Sequence, residues 1–395
     1  MNVFSQIFAI TLMNLRTLPQ RWSSSLVIVV GVAGVVAVLV ALLSMAQGFA
    51  STLQRTGKAD RVIVLRGGSN GELSSGLSIA QANIVAGFPG IAQLDGQALL
   101  SPELYLIADV PKRATGSPAN LTLRGVTPIG VKLRSELRIT EGRMFEPGKA
   151  ELIAGRGAAD QFAGLDLGAE IKLRDARMKV VGIFTADGGG HESELWMDLP
   201  VVQDLFRGPG VLSSLRVQLQ SASAYPAFAA AVKGDKRLDM DATDEPTYYA
   251  RQSESLSNLI QGFGYAVAVI MGIGAMFAAL NTMYSAVSAR TREIATLRAI
   301  GFGGAPVVAS VIVESMALAL LGGLSGGAVA WLMFNGATVS TLNNASFSQV
   351  AFDFAVSPEL ITRGIVLALL LGLVGGLLPA WRAARLPVTV ALRGE

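Results

Sequence analysis

The chain has 395 residues, 51% of them hydrophobic and only 15% charged, with a mean hydropathy of +0.49. A soluble domain carries roughly 25% charged residues, so a wholly soluble enzyme and a disordered chain are both excluded. There is no Cys and a single His, which removes disulfides, thiolate catalysis and any multi-His metal site within one chain.

Taken in chain order, residues 1–25 open with Val3, Phe4, Ile7, Phe8, Leu12, Met13 and Leu15 at near-helical spacing. That pattern predicts an interfacial helix on the inner face of a membrane. Leu26–Met45 is a charge-free run of 20 residues, long enough to span a bilayer and too long for a signal-peptide core. Residues 46–258 mix strand and helix patterns and predict an α+β domain with a core of its own. Strands are expected at Arg61–Leu65, Leu104–Ala108, Leu121–Val126, Ile171–Leu173, Met178–Phe184 and Leu215–Leu219, and short helices at Ala158–Phe162, Pro200–Phe206 and Tyr225–Lys233. Gly67–Gly76 has the turn chemistry of a flexible loop. Asp187–Glu194 places Asp187, His191, Glu192 and Glu194 close together, but at no metal-ligand spacing, and reads as a solvated loop. From Pro246 a helix is expected to run as a stalk into the second span, residues 259–283.

A basic segment follows at 284–305, then a third span at 306–334, an outer loop at 335–363, a fourth span at 364–381 and a tail at 382–395. The four spans hold one charge, Glu314. An intramembrane ionisable group is a functional candidate; here a packing and polarity role is favoured over proton coupling. Gly322/Gly326, Gly323/Gly327 and Gly372/Gly376 form small-residue steps that permit close helix packing, within the chain or between chains.

Orientation follows from the short segments. Arg16 and Arg21 precede the first span, Arg290, Arg292 and Arg298 lie between the second and third, and Arg382, Arg385 and Arg393 follow the fourth. Asn335–Glu359 has no Lys or Arg. By the positive-inside rule both termini and the 284–305 segment are cytoplasmic and the 46–258 domain is extracytoplasmic. The +3 net charge and pI of about 9.2 are thereby a topological signal, and nucleic acid is not an expected partner. The expected fold is an α-helical membrane protein with four transmembrane helices and a large extracytoplasmic α+β domain inserted between the first and second.

Two segments carry a family resemblance. Ser285–Phe302 reads SAVSARTREIATLRAIGF, and Gly375–Glu395 reads GGLLPAWRAARLPVTVALRGE. Together they resemble the permease domain of the MacB/FtsX/LolC superfamily of ABC transporters, as do Gly31–Phe49, Glu141–Phe145 and Met178–Phe184. The tail departs from the family pattern: Leu386 is followed directly by Pro387, and Val390 stands where an acidic residue is common. The resemblance implies a mechanotransmission permease, non-catalytic itself, in the inner membrane. It implies pairing with a second permease, identical or paralogous, and with a separate ATPase that holds ATP and Mg. A periplasmic adaptor or cargo-binding protein and membrane lipid are further expected partners. The cargo classes implied are lipoprotein, lipid, peptide or drug, and the alternative is an FtsX-like regulator of an outer partner such as a cell-wall hydrolase.

The sequence is expected to work without a fused ATPase. A P-loop needs G-x-x-x-x-G-K-[ST], whereas Gly57-Lys58 and Gly148-Lys149 are each followed by Ala and lack the upstream Gly. In the resemblance, the ATPase-coupling residues are Arg290, Arg292, Glu293, Ile294, Leu297 and Arg298. Ile294 and Leu297 share a helical face suited to a partner groove. Pro379, Arg382 and Arg385 form the C-terminal signature.

Overall fold

The computed structural model describes residues 3–17, 22–206, 208, 210–343 and 346–385. Arg21, Leu386, Pro387, Val390 and Arg393 lie outside them. In chain order the elements begin with α1 (Val3–Thr17), α2 (Trp22–Thr56), β1 (Arg61–Arg66), α3 (Ile79–Ala86), β2 (Leu100–Pro111), β3 (Pro118–Val126), α4 (Pro128–Lys132) and β4 (Leu137–Gly142). Next come β5 (Glu151–Gly155), α5 (Arg156–Gln161), β6 (Glu170–Leu173), β7 (Ala176–Ala186), β8 (Glu194–Asp198), α6 (Leu199–Phe206), β9 (Ser214–Gln218), α7 (Tyr225–Gly234) and β10 (Met240–Asp244). The chain continues with α8 (Glu245–Ala289), α9 (Thr291–Ala299), α10 (Gly304–Phe334), β11 (Thr338–Asn343), β12 (Ser348–Asp353) and α11 (Pro358–Arg385).

Two compact units divide the chain. One comprises Met1–Ala46, Leu259–Ala337 and Phe354–Glu395; the other comprises Gln47–Asn258 and Thr338–Asp353.

In the helical unit, α2, α8, α10 and α11 are each long and apolar enough to cross a membrane. The helix expected from Pro246 is α8, a single element that continues to Ala289. Close packing is set by glycine. A Cβ on Gly326 would strike the Ala33 carbonyl, and one on Gly322 would lie 2.9 Å from the Val29 carbonyl, so only glycine lets α10 approach α2 this closely. Gly323, Gly327, Gly372 and Gly376 line the α10–α11 contact, where a Cβ on Gly372 would sit 2.5 Å from that of Ala319. Ser315 Oγ donates to the Gly372 carbonyl at 2.6 Å in the same seam. All three glycine steps are therefore used for packing within the chain.

The second unit is built on a mixed ten-stranded sheet in the order β10-β1-β9-β2-β3-β8-β5-β7-β4, with β6 paired to β7. β3 runs parallel to β8 and β5 parallel to β7. One core packs Leu104, Leu106, Leu121, Leu123, Leu195, Leu215 and Val217. A second packs Val126, Phe145, Ile153, Val181, Phe184 and Trp196. Every predicted strand and short helix is present, most with ends extended by a few residues; β9 stops one residue short of the expected Leu219 and α5 one short of Phe162.

Residues 335–363 differ from the plain loop expected. Within them β11 and β12 pair as an antiparallel hairpin that belongs to the α+β unit. The hairpin is held there by specific bonds: Asn120 Nδ2 donates to the Phe347 carbonyl at 2.9 Å, and the Ala351 amide donates to Ser193 Oγ at 2.8 Å. The α+β unit is thus assembled from two separate stretches of sequence.

Candidate functional site

Of the residues expected to matter, two that were read separately are brought together. Arg290, just before α9, is buried, and so is Glu314 on α10. Arg290 Nη1 donates to Glu314 Oε2 at 2.9 Å and Nη2 donates to Oε1 at 3.1 Å. This fork-on-fork geometry is the strong form of a guanidinium–carboxylate pair. Beside it lies a cavity of about 20 Å³ walled by Ile10, Met13 and Asn14 of α1, by Met283 and Val287 of α8, and by Glu293, Ile294 and Leu297 of α9. Glu314 is accordingly compensated by a cation from the segment before α9.

The pair divides the expected coupling residues by side. Arg290 and Ile294 turn inward, and Leu297 is half-buried against the same apolar cluster. The Ile294–Leu297 face expected to fill a partner groove is instead packed on the chain's own helices, because it supplies apolar cover for the buried ion pair. Arg292 and Glu293 are exposed, Arg298 is half-buried, and Ile300 is 69% exposed. Of the C-terminal signature, Pro379 is buried inside α11. Arg382 stacks over the Tyr284 ring at 5.6 Å and Arg385 over Trp381 at 4.3 Å.

The α+β unit holds a larger charged cluster, centred on Arg124 of β3. In register it stands beside Tyr105 of β2 and Trp196 of β8. Its guanidinium donates to Glu194 (2.7 and 2.9 Å), Glu72 (2.7 and 3.1 Å) and Glu103 (2.8 Å). Arg134 holds Glu103 with two bonds of 2.7 and 2.9 Å, and Arg216 reaches Glu72 at 3.1 Å and Glu245 at 2.5 Å. All seven side chains are buried. Burial raises a carboxyl's pKa, but the surrounding guanidiniums overcome it: Glu72 is held down at about 2 by Arg124 and Arg216, and Glu194 well below the usual carboxylate range by Arg124. On β1, Arg61 grips Glu136 through two bonds of 2.6 Å, and Glu136 is likewise held at about 2.

His191 corrects the expectation of a solvated loop. It sits in a short 3-10 turn, Gly190–Ser193, and is 2% exposed. The turn fits because Gly155 has no side chain; a Cβ there would strike the Glu192 backbone. Burial lowers the His191 pKa and keeps the ring neutral, with Nε2 facing Arg134 Nε at 3.5 Å. Its Nδ1 is 3.2 Å from Glu194 Oε1, off the line of a hydrogen bond. It is a packed core histidine. Among the described residues no group of His, Asp and Glu is arranged to hold a metal ion.

These groups set the domain's acid sensitivity. His191 stays neutral when folded, so its contribution is complete above about 6.5 and declines below it. Glu72 and Glu136 stay ionised when folded, so theirs is complete above about 4.5 and is lost as pH falls toward 2. The melting temperature of the α+β unit in the full chain is therefore expected to fall in two stages on acidification, and His191→Gln to remove only the upper stage. A flat melting temperature from pH 7 to 3 would contradict this assignment.

Two family profiles match the chain. The MacB-like periplasmic core domain profile matches residues 25–234, more than half of the chain, and the FtsX-like permease C-terminal profile matches residues 265–388. The chain is 24% identical over 388 residues to the macrolide export ATP-binding/permease protein MacB of Rhodospirillum rubrum, covering 93% of this chain and 57% of that protein. It is 25% identical over 268 residues to an uncharacterized ABC transporter permease of Methanocaldococcus jannaschii, covering 65% of this chain and 66% of that one. It is 23% identical over 391 residues to the uncharacterized ABC transporter permease YknZ of Bacillus subtilis, with 93% of each covered. The chain thus spans just over half of the MacB relative and just under two thirds of the archaeal one. With one profile over more than half its length and the other over most of the remainder, the chain belongs to the MacB/FtsX type of ABC transporter permease.

Proposed function

We propose that this permease is the membrane subunit of a mechanotransmission transporter, driven by an ATPase on a separate chain that docks against the exposed side of α9. The observation that carries the reading is the two-sidedness of α9. Its inner side is fixed by Arg290–Glu314 and by Ile294, while Arg292 and Glu293 are exposed, Glu293 at the rim of the small cavity beside the pair. A short helix locked on one side and charged on the other passes a push on its outer side to the helix it is locked to, α10. In this reading the termini and α9 are cytoplasmic, as the Arg distribution supports. A second permease completes the pair, and the ATPase supplies the ATP and Mg site. The cargo is a lipoprotein, lipid, peptide or drug met on the periplasmic side, which suits few spans and a large inserted domain.

The test is the double variant Arg292→Ala with Glu293→Ala. Membrane insertion and thermal stability are expected to be unchanged, because neither side chain is buried. ATPase recovery with the tagged permease is expected to fall at least about tenfold, the equivalent of roughly 1.4 kcal/mol. Recovery at the wild-type level would remove α9 from the docking surface.

A further inference from the structure

One carboxylate joins the ends of two long helices to the sheet. Glu245 opens α8 and is 1% exposed. Its Oε1 accepts from Arg216 Nη1 at 2.5 Å, and Arg216 is anchored in β9 and bonded onward to Glu72. Its Oε2 accepts from the Lys58 amide at 3.2 Å, two residues beyond the last residue of α2. Between them, Gly57 presses directly on the start of α8: a Cβ there would lie 2.8 Å from the Glu245 carbonyl carbon and 2.9 Å from the Pro246 nitrogen. The next turn is tied in as well. Asp244 Oδ2 accepts from the Thr247 amide at 3.0 Å, and Arg216 stacks over the Tyr249 ring at 5.5 Å.

The arrangement is more than local cover. A carboxylate at a helix N-terminus is favoured by the helix dipole, and a capping residue alone would satisfy that. Glu245 is instead withdrawn into the domain, where each oxygen serves a different element. Cutting either bond frees one helix end without removing apolar surface from the core.

We infer that Glu245 is a positioning residue, the pin through which displacement of α8 and α2 is delivered to the Arg216–Glu72–Arg124 network of the sheet. The inference rests on the proposed function for its mechanical sense. Its geometry is independent of that reading.

Glu245→Gln keeps the shape and removes one acceptor, so its amide NH₂ must face either Arg216 or the Lys58 amide, both of which are donors. The experiment is hydrogen–deuterium exchange on the full chain in nanodiscs, alone and with its co-purified ATPase plus ATP. In the variant, segments 55–62 and 245–253 are expected to exchange at least about tenfold faster. ATPase binding is expected to be unchanged, while the ATP-dependent exchange difference in the sheet is lost. Glu245→Asp, which keeps the charge, is expected to restore part of that difference. Glu151→Gln, which breaks the separate Arg143–Glu151 pair, is expected to leave it intact. Wild-type exchange in both segments of Glu245→Gln, or an ATP response of wild-type size, would overturn the inference. A wild-type complex with no ATP response would instead overturn the proposed function, and the pin is then judged on the two exchange segments alone.

Discussion

Arg124→Ala is expected to prevent stable folding of the α+β unit. The guanidinium is 1% exposed and serves Glu72, Glu103 and Glu194 at once. Its removal leaves three buried carboxylates competing for Arg134 and Arg216, neither of which contacts Glu194. Breaking one buried ion pair costs about 3–5 kcal/mol, against a total domain stability of about 5–15 kcal/mol. Here one substitution breaks three pairs. Arg124→Lys is expected to be nearly as damaging, since a single ammonium cannot span three forks. Limited proteolysis of the membrane-embedded chain checks this: the variant's α+β unit should be degraded under conditions that leave the wild type intact. A protected unit with a wild-type melting temperature would mean that the network is dispensable.

Arg290→Ala and Glu314→Ala are each expected to destabilise the helical unit by about 3–5 kcal/mol, because each removes one member of a buried ion pair. The double variant Arg290→Ala with Glu314→Ala is expected to be milder than either single change, since neither member of the pair remains. That non-additivity is the signature of a direct pair. Function should separate from stability here. The double variant is expected to insert and hold ATPase, yet transmit poorly, because α9 is no longer locked to α10. Thermal unfolding of the four proteins in detergent provides the cycle, and ATPase stimulation provides the functional readout. Single variants that add simply to the double would contradict the pairing.

The helical architecture was legible because its physical basis is local. A run such as Leu26–Met45 excludes water by itself, and the charge-free run of Gly364–Trp381 is ended by Arg382. Strands such as Met178–Phe184 were equally visible from their composition. The buried network was invisible for the opposite reason. Glu72, Glu103, Arg124, Arg134, Arg216 and Glu245 come from six different elements or turns, and only strand order brings them together. One signal was available: Arg124 and Arg216 each interrupt a short apolar run (LTLRGV and SLRVQL), and a charge flanked so closely by core residues must find a buried partner. The β11–β12 hairpin was missed through its setting between two spans, although Val350 and Phe352 stand two apart, flanked by Gln349 and Asp353. Arg290 and Glu314 were each singled out, but no window of sequence pairs residues across a helix and a turn.

The relation between α9 and a partner ATPase bears most directly on the account as a whole. Tagged permease, cross-linked in native membranes through a photoreactive residue in place of Thr296 on the exposed side of α9, is the decisive measurement. One dominant adduct is expected, a separate ABC ATPase chain, lost when Arg292 and Glu293 are both alanine. Adducts with lipid alone, or with no ATPase among them, would contradict the proposed docking.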